Sequence, residues 1–114
     1  MEYTRIKQKN IRARGIKFFI KNGRKEIARA YLYILQNDLR EEPFGLMEDV
    51  FVNKSFRERG IGTKLIQKVI KAAKKNGCYK LISTSRHSRP EVHKLYKRLG
   101  FKNHGIEFRM DLSD

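Results

Sequence analysis

Residues 53–63 read Asn53-Lys54-Ser55-Phe56-Arg57-Glu58-Arg59-Gly60-Ile61-Gly62-Thr63, and within them Arg57-x-x-Gly60-x-Gly62-Thr63 is the run best equipped for chemistry. Glycines at 60 and 62 remove Cβ atoms where a backbone must approach an anion closely. If a helix begins here, its first N–H groups have no intrahelical partner and sit at the positive end of the helix dipole. A diphosphate would then be held by main-chain donors, with Arg57, Arg59 and Lys64 adding charge. An ordinary structural turn is the competing explanation for the two glycines. The dinucleotide pattern Gly-x-Gly-x-x-Gly and the Gly-Lys-Ser/Thr end of a P-loop are both absent. Elsewhere the chemistry-bearing residues are scattered. His87, His93 and Cys78 lack metal-ligand spacing, so no metal site is expected. Ser83 and Ser85 lie outside any Gly-x-Ser-x-Gly elbow, which argues against a hydrolase triad.

The charge balance suits such an anion site. The 114 residues carry 27 Lys and Arg against 12 Asp and Glu, a net charge of +15, which favours a polyanionic partner such as nucleic acid or a phosphate-rich cosubstrate. Residues 61–102 hold only one acid, Glu91, whereas residues 38–49 concentrate Asp38, Glu41, Glu42, Glu48 and Asp49 around the single Arg40. An anion site beside a cation site would explain this; a generally basic solvated surface would explain it equally. The apolar fraction of 39% is ordinary for a globular domain. No apolar run approaches the roughly 20 residues of a membrane span, so no membrane association is expected. Residues 1–20 are interrupted throughout by Lys and Arg, unlike a signal peptide. The lone Cys78 excludes an intrachain disulfide, and together these features predict one cytoplasmic domain over residues 1–114.

These residues need elements to position them. Residues 15–21 and 26–37 are β-branched and aromatic runs around Asn22-Gly23, which predicts an antiparallel hairpin. A polar stretch with Pro43 forms the next turn, and residues 45–52 form a third strand ending in Val50-Phe51-Val52. Residues 3–8 are a weaker leading strand. Ile61, Leu65, Ile66, Val69, Ile70 and Ala73 recur at helical spacing over residues 61–76, and Asn76-Gly77 stops that helix. Residues 79–84 read as a short buried strand. A second helix begins near Pro90, turns Val92, Leu95, Tyr96 and Leu99 inward, and stops at Gly100. The alternation of Ile106, Phe108, Met110 and Leu112 predicts a half-buried last strand. The expected order is β-β-β-α-β-α-β.

The strand at 46–52, the loop at 57–63 with its helix, and His93-Lys94-Leu95-Tyr96-Lys97-Arg98-Leu99-Gly100-Phe101 together resemble the GNAT superfamily of acyl-CoA-dependent N-acetyltransferases, over about residues 15–112. Residues 85–101 and the trailing His104-Gly105-Ile106-Glu107-Phe108 look most like a small bacterial branch that includes aminoalkylphosphonate acetyltransferases. The resemblance implies an α+β fold, with a mostly antiparallel sheet splayed between two strands and two main helices packed on it. It implies acetyl-CoA as cosubstrate, an amine as acceptor and no metal. It also implies that main-chain groups of Val50, Phe51 and Val52 meet the acyl and pantetheine groups. The amides of Arg57, Glu58, Arg59, Gly60, Ile61, Gly62 and Thr63 would hold the pyrophosphate. Val50-Phe51-Val52 can be core at the same time, because the chemistry uses backbone.

Tyr96 aligns with the family tyrosine that protonates the departing thiolate, a transfer between groups with ordinary pKa values of about 10 and about 8.5. An amphipathic tyrosine at a helix–sheet junction is the alternative. Glu48 is the expected general base, acting through water; attraction of a cationic amine is the other reading for it or for Asp49. In a regular strand Asp49 faces away, and a bulge would exchange the two. His93 lies about one turn before Tyr96, where it either shares the cleft or sits on the helix surface.

Two departures stand out. Arg89 occupies the position where many members carry a CoA-binding asparagine, and it is expected to reach a CoA phosphate instead. The family usually inserts two helices between its first strands, for which only residues 10–14 are available. The acceptor side is therefore expected to be open, or completed by a second subunit in a homodimer. The rival expectation is a nucleic-acid- or ribosome-binding module on the same fold, motivated by the net charge.

Overall fold

The structure is a computed structural model that describes residues 2–113. A single turn of 3-10 helix covers Glu2–Thr4, and residues 5–12 are irregular, so the leading strand expected at 3–8 does not form. Strands β1 (Ala13–Asn22) and β2 (Lys25–Leu35) make the expected hairpin. Its loop is Gly23-Arg24, with Gly23 at a φ of 65° supplying the left-handed conformation that a two-residue turn requires. Asn22 itself stays in the strand, paired with Lys25.

Strand β3 (Phe44–Val52) pairs antiparallel with β2 and leads through a 3-10 turn at Lys54–Phe56 into α1 (Ile61–Lys75). The chain returns in β4 (Leu81–Ser83), parallel to β3, and continues into α2 (Pro90–Arg98). The result is a four-stranded mixed sheet in the order β1-β2-β3-β4 with two main helices, the α+β architecture expected.

The core lies between the sheet and α1. Alternation along β2 points Ala28, Ala30, Leu32 and Ile34 to one face, where they meet Leu65, Ile66, Val69 and Ala73 of α1. Leu32, Met47, Ile66 and Val69 are completely enclosed. Gly45 permits the close approach: a Cβ there would lie 2.9 Å from a Leu81 methyl and 3.1 Å from a Leu32 methyl. The opposite face, bearing Phe19, Tyr31, Tyr33 and Phe51, carries no helix in this way, and Phe19 and Tyr33 are exposed. Tyr31 and Tyr33 stack on it, and the Arg29 guanidinium lies 4.6 Å from the Phe51 ring.

Two expectations are corrected near the C-terminus. The strand expected at 106–112 is not formed: residues 101–113 carry no regular structure, and Ile106, Phe108, Met110 and Leu112 are exposed. Alternation shows which residues share a side, but a strand also needs a neighbouring edge, and this segment has found none in its own sheet. For the same reason β4 is an edge strand, shorter than expected, and its Ile82 is exposed rather than buried. In α2, Val92, Leu95, Tyr96 and Leu99 are half-buried, with none fully enclosed.

Candidate active site

The site grows from an irregularity in β3. Arg29 pairs with Phe51 and Tyr31 with Glu48, so one extra residue is inserted in β3 opposite Ala30. Asp49 takes a φ of 49°, marking the bulge. Before the bulge Met47 faces the α1 core; after it Val50 and Val52 do, and Glu48 and Phe51 share the open face. The bulge therefore keeps Glu48 on the open face and leaves Asp49 at the kink, exposed.

Beyond the bulge β3 also parts from β4. Their pairing runs only from Gly45 with Leu81 to Met47 with Ser83, while β3 continues to Val52. The main chain on that side of residues 48–52 thus borders a gap. The Asn53 N–H donates to the Ile27 carbonyl at 2.7 Å, so it points toward β2. Strand alternation then turns the N–H groups of Val52 and Val50 away from β2, toward the gap.

The loop and the mouth of α1 close one end of this gap. Gly60 is the N-cap at a φ of 76°, without a side-chain capping bond. A Cβ at Gly60 would meet nothing within 4 Å, and one at Gly62 would meet only a Val52 methyl at 3.7 Å. The mouth is therefore unplugged, and it adjoins the end of β3. Glu58 also adopts a positive φ, of 64°. Arg57 is engaged rather than free: its Nε donates to the Val52 carbonyl at 2.9 Å and ties the loop to the strand. The Arg59 guanidinium rests 5.4 Å from the Phe56 ring. Arg98, which sequence reasoning did not single out, reaches from α2 to Thr63 Oγ1 at 3.4 Å and adds a cation to the mouth. Helical periodicity places Arg98 on a face of α2 but says nothing of what that face meets.

Tyr96 is positioned by the way α2 ends. The Phe101 N–H donates to the Tyr96 carbonyl at 2.9 Å and the Gly100 N–H to the Lys97 carbonyl at 3.1 Å, with Gly100 at a φ of 105°. This is a Schellman ending, which brings the residue after the glycine back onto the last turn. Accordingly the Phe101 ring packs 5.2 Å from the Tyr96 ring, and both pack against the α1-side core with Leu95 and Leu99. Glu48 thus lies on the open face of the sheet, whereas Tyr96 packs on the α1 side.

Glu48 is half-buried, and its carboxyl is raised above the ordinary value of 4.5, first by burial and then by the charges of Asp49 and Glu107. Glu107 was invisible as a site neighbour because only the path of the C-terminal segment brings it near β3. Other expected residues stay apart. Arg89 caps α2 at the exposed surface and pairs with Glu91 at 3.7 Å. Asp38, Glu41 and Glu42 belong to the β2–β3 turn, at the far end of β3 from the phosphate loop. There Asp38 pairs with Lys9 at 2.7 Å and Glu42 with Arg40 at 3.6 Å, beside an open cleft of about 550 Å³. The His93 ring bonds the Arg86 carbonyl at 2.9 Å and braces the loop before α2. No group of three or more potential metal ligands occurs among the described residues.

Comparison with known proteins gives this geometry its relatives. The glucosamine 6-phosphate N-acetyltransferase of Trypanosoma brucei brucei is 39% identical over 69 residues, covering 60% of this chain and 44% of that protein. A probable glucosamine 6-phosphate N-acetyltransferase of Oryza sativa is 35% identical over 63 residues, covering 55% of this chain and 36% of that protein. The chain therefore matches less than half the length of these curated relatives. Among solved structures, a putative acetyltransferase from Agrobacterium tumefaciens superposes with a TM-score of 0.78 at 28% identity, covering 85% of this chain and 68% of that one. A Trypanosoma brucei acetyltransferase superposes with a TM-score of 0.75 at 30% identity, covering 86% and 69%. The model of the acetyltransferase (GNAT) family matches residues 2–101, and the chain belongs to that family.

Proposed function

We propose that this chain is an acetyl-CoA-dependent N-acetyltransferase in which a bound primary amine attacks the thioester directly. One observation carries the reading: an uncapped, unobstructed α1 mouth adjoins the end of β3 beside its gap with β4. An α1 mouth bordered by Gly60 and Gly62, with open space where a Gly60 Cβ would lie, leaves room for a pyrophosphate at the free helix amides, so the residues present fit the cosubstrate.

When bound, acetyl-CoA supplies the activated acetyl group. The loop amides from Arg57 to Thr63 hold its pyrophosphate, helped by the charges of Arg59, Lys64 and Arg98. The N–H groups of Val50 and Val52 orient the pantetheine and acyl portions and stabilise negative charge developing on the thioester oxygen. Glu48, through water, takes the proton that an ammonium must lose before its nitrogen can attack. Tyr96 donates its phenolic proton to the departing sulfur. Arg57 serves the loop as a tether, and Arg89, directed to Glu91, is the weakest of the phosphate contacts.

The named acceptor of the curated relatives, glucosamine 6-phosphate, is the first amine to assay. It joins an amine that Glu48 can receive to a phosphate that the basic surface attracts. Simple polyamines and aminoalkyl compounds are the alternatives.

Calorimetric titration with acetyl-CoA, paired with a thiol-release assay across these amines, tests the reading. Micromolar binding and acceptor-dependent thiol release are expected. Absence of binding, with RNA binding that weakens steeply with salt, would favour the rival nucleic-acid module and overturn the enzymatic one.

A further inference from the structure

We propose that the groove between β1 and α1 is a docking site for an extended, acidic peptide segment of a partner protein, which adds as a strand to the free edge of β1. The sheet begins at β1, so its outer edge has no strand neighbour among the described residues. The Gln36 N–H donates to the Arg12 carbonyl at 3.2 Å. Strand alternation therefore directs the main-chain groups of Arg14, Ile16 and Phe18 to β2 and turns those of Gly15, Lys17 and Phe19 outward. Such an edge, on a strand of 10 residues, is a template for another strand.

The floor of the groove is apolar and its rim is basic. α1 lies mainly over β2 and β3, which leaves the α1-facing side of β1 partly uncovered: Phe18 is half-buried and Ile20 is 37% exposed. Phe18, Ile20 and Leu65 meet in an open groove of about 390 Å³, bordered by Lys17, Lys64 and Lys68. Neither β1 nor α1 contains a carboxylate. Glu26 of β2 pairs with Lys17 at 2.5 Å. Lys21, Lys64 and Lys68 have no carboxylate partner among the described residues.

These features fix the chemistry of the occupant. An added strand turns alternate side chains to opposite faces. Those on the α1 side meet Phe18, Ile20 and Leu65 and are best aliphatic; those on the other side run past Lys17 and Lys21 and are best acidic. Lys64 and Lys68, one helical turn apart, receive flanking carboxylates. Charge disfavours a second copy, whose β1 would bring its own Lys17 and Lys21 to the same edge. The N-terminal segment of the chain brings Arg5, Lys7 and Lys9 and is disfavoured likewise. Nucleic acid would answer the cations but offers no peptide backbone for the edge and no aliphatic side chain for the floor. The inference does not depend on acetyl transfer. The groove shares Lys64 with the proposed phosphate site, so that residue is left intact in the test.

The probe is the peptide Glu-Val-Glu-Ile-Glu-Val-Glu carrying a fluorophore, titrated with the whole chain and followed by anisotropy. Micromolar binding is expected. Lys21→Glu with Lys68→Glu should weaken it at least tenfold while unfolding as cooperatively as the parent. N-methylation of one alternate set of peptide amides should abolish binding, and methylation of the other set should leave it intact. Amide exchange followed by NMR should show Lys17 and Phe19 gaining protection when the peptide is bound. No binding, equal effects of the two methylated sets, or protection confined to other residues would each overturn the proposal. Displacement by a single-stranded oligonucleotide of matched charge as effective as that by unlabelled peptide would overturn it too, by making the edge a general polyanion surface.

Discussion

The two halves of the candidate site are built on different foundations. The phosphate half comprises the end of β3, the loop and the mouth of α1, and it rests on Met47, Leu65, Ile66 and Val69, all buried. The other half comprises Tyr96 on α2 and Glu48 on the open face, and α2 contributes no fully buried side chain. A pyrophosphate needs fixed backbone donors, so a rigid core beneath them is useful. Acceptor amines must enter and leave, and a half-packed wall with an uncovered sheet face allows that. On the proposed reading, rigidity goes with the cosubstrate that every turnover shares and openness with the acceptor.

Core substitutions should separate the halves most sharply. Leu32→Ala should cost about 3 kcal/mol through cavity formation in the core between the sheet and α1, whereas Leu95→Ala in half-buried α2 should cost clearly less by denaturant unfolding. The reverse order would break the comparison. Next, Tyr96→Phe should lower kcat about 100-fold, a loss typical of removing a general acid, while calorimetric affinity for acetyl-CoA stays unchanged. A fall in affinity instead would make Tyr96 part of the binding wall.

Gly60→Val should weaken acetyl-CoA binding about tenfold and cost about 1–2 kcal/mol, because a β-branched residue is strained at that positive φ. Gly62→Ala has no such strain, since no positive φ is recorded there. It therefore isolates the intrusion of a methyl group into the mouth and should weaken binding without destabilising the fold.

The smallest effect concerns Glu48. Its raised pKa means that the folded chain holds the proton more tightly than the unfolded one. The stability this provides is fully present below the ordinary 4.5 and is lost as pH rises through the raised value. Glu48→Gln should therefore be modestly more stable than the parent at neutral pH, with the difference vanishing in acid. Its acetylation rate at neutral pH should fall. Asp49→Asn, by removing a like charge, should move the acid limb of the activity profile to lower pH.

Much of the loop and helix of the proposed phosphate half was legible in the chain because its signals are local. Gly60, Gly62 and the α1 periodicity lie within about four turns, and Asn76-Gly77 ended the helix as its residue types require. The Leu99-Gly100-Phe101 ending belongs to the same class: it set Phe101 against Tyr96 through bonds within a single turn. Other features depended on partners distant in sequence. The bulge at Asp49 shows only in the register against β2, and Arg98 meets Thr63 only because α2 lies beside the mouth of α1. Asp38, Glu41 and Glu42, neighbours of Glu48 along the chain, turned out to lie at the far end of β3.

By itself the sequence determined the hairpin, both helices and their stops, and a glycine-bearing loop between β3 and α1, since each follows from the preferences of adjacent residues. Tertiary structure alone decided which carboxylate shares the open face with Phe51, which cations reach the loop, and that residues 106–112 remain unpaired. Those outcomes depend on hydrogen-bond partners and packing surfaces supplied by remote parts of the chain, and short-range residue patterns carry no record of them.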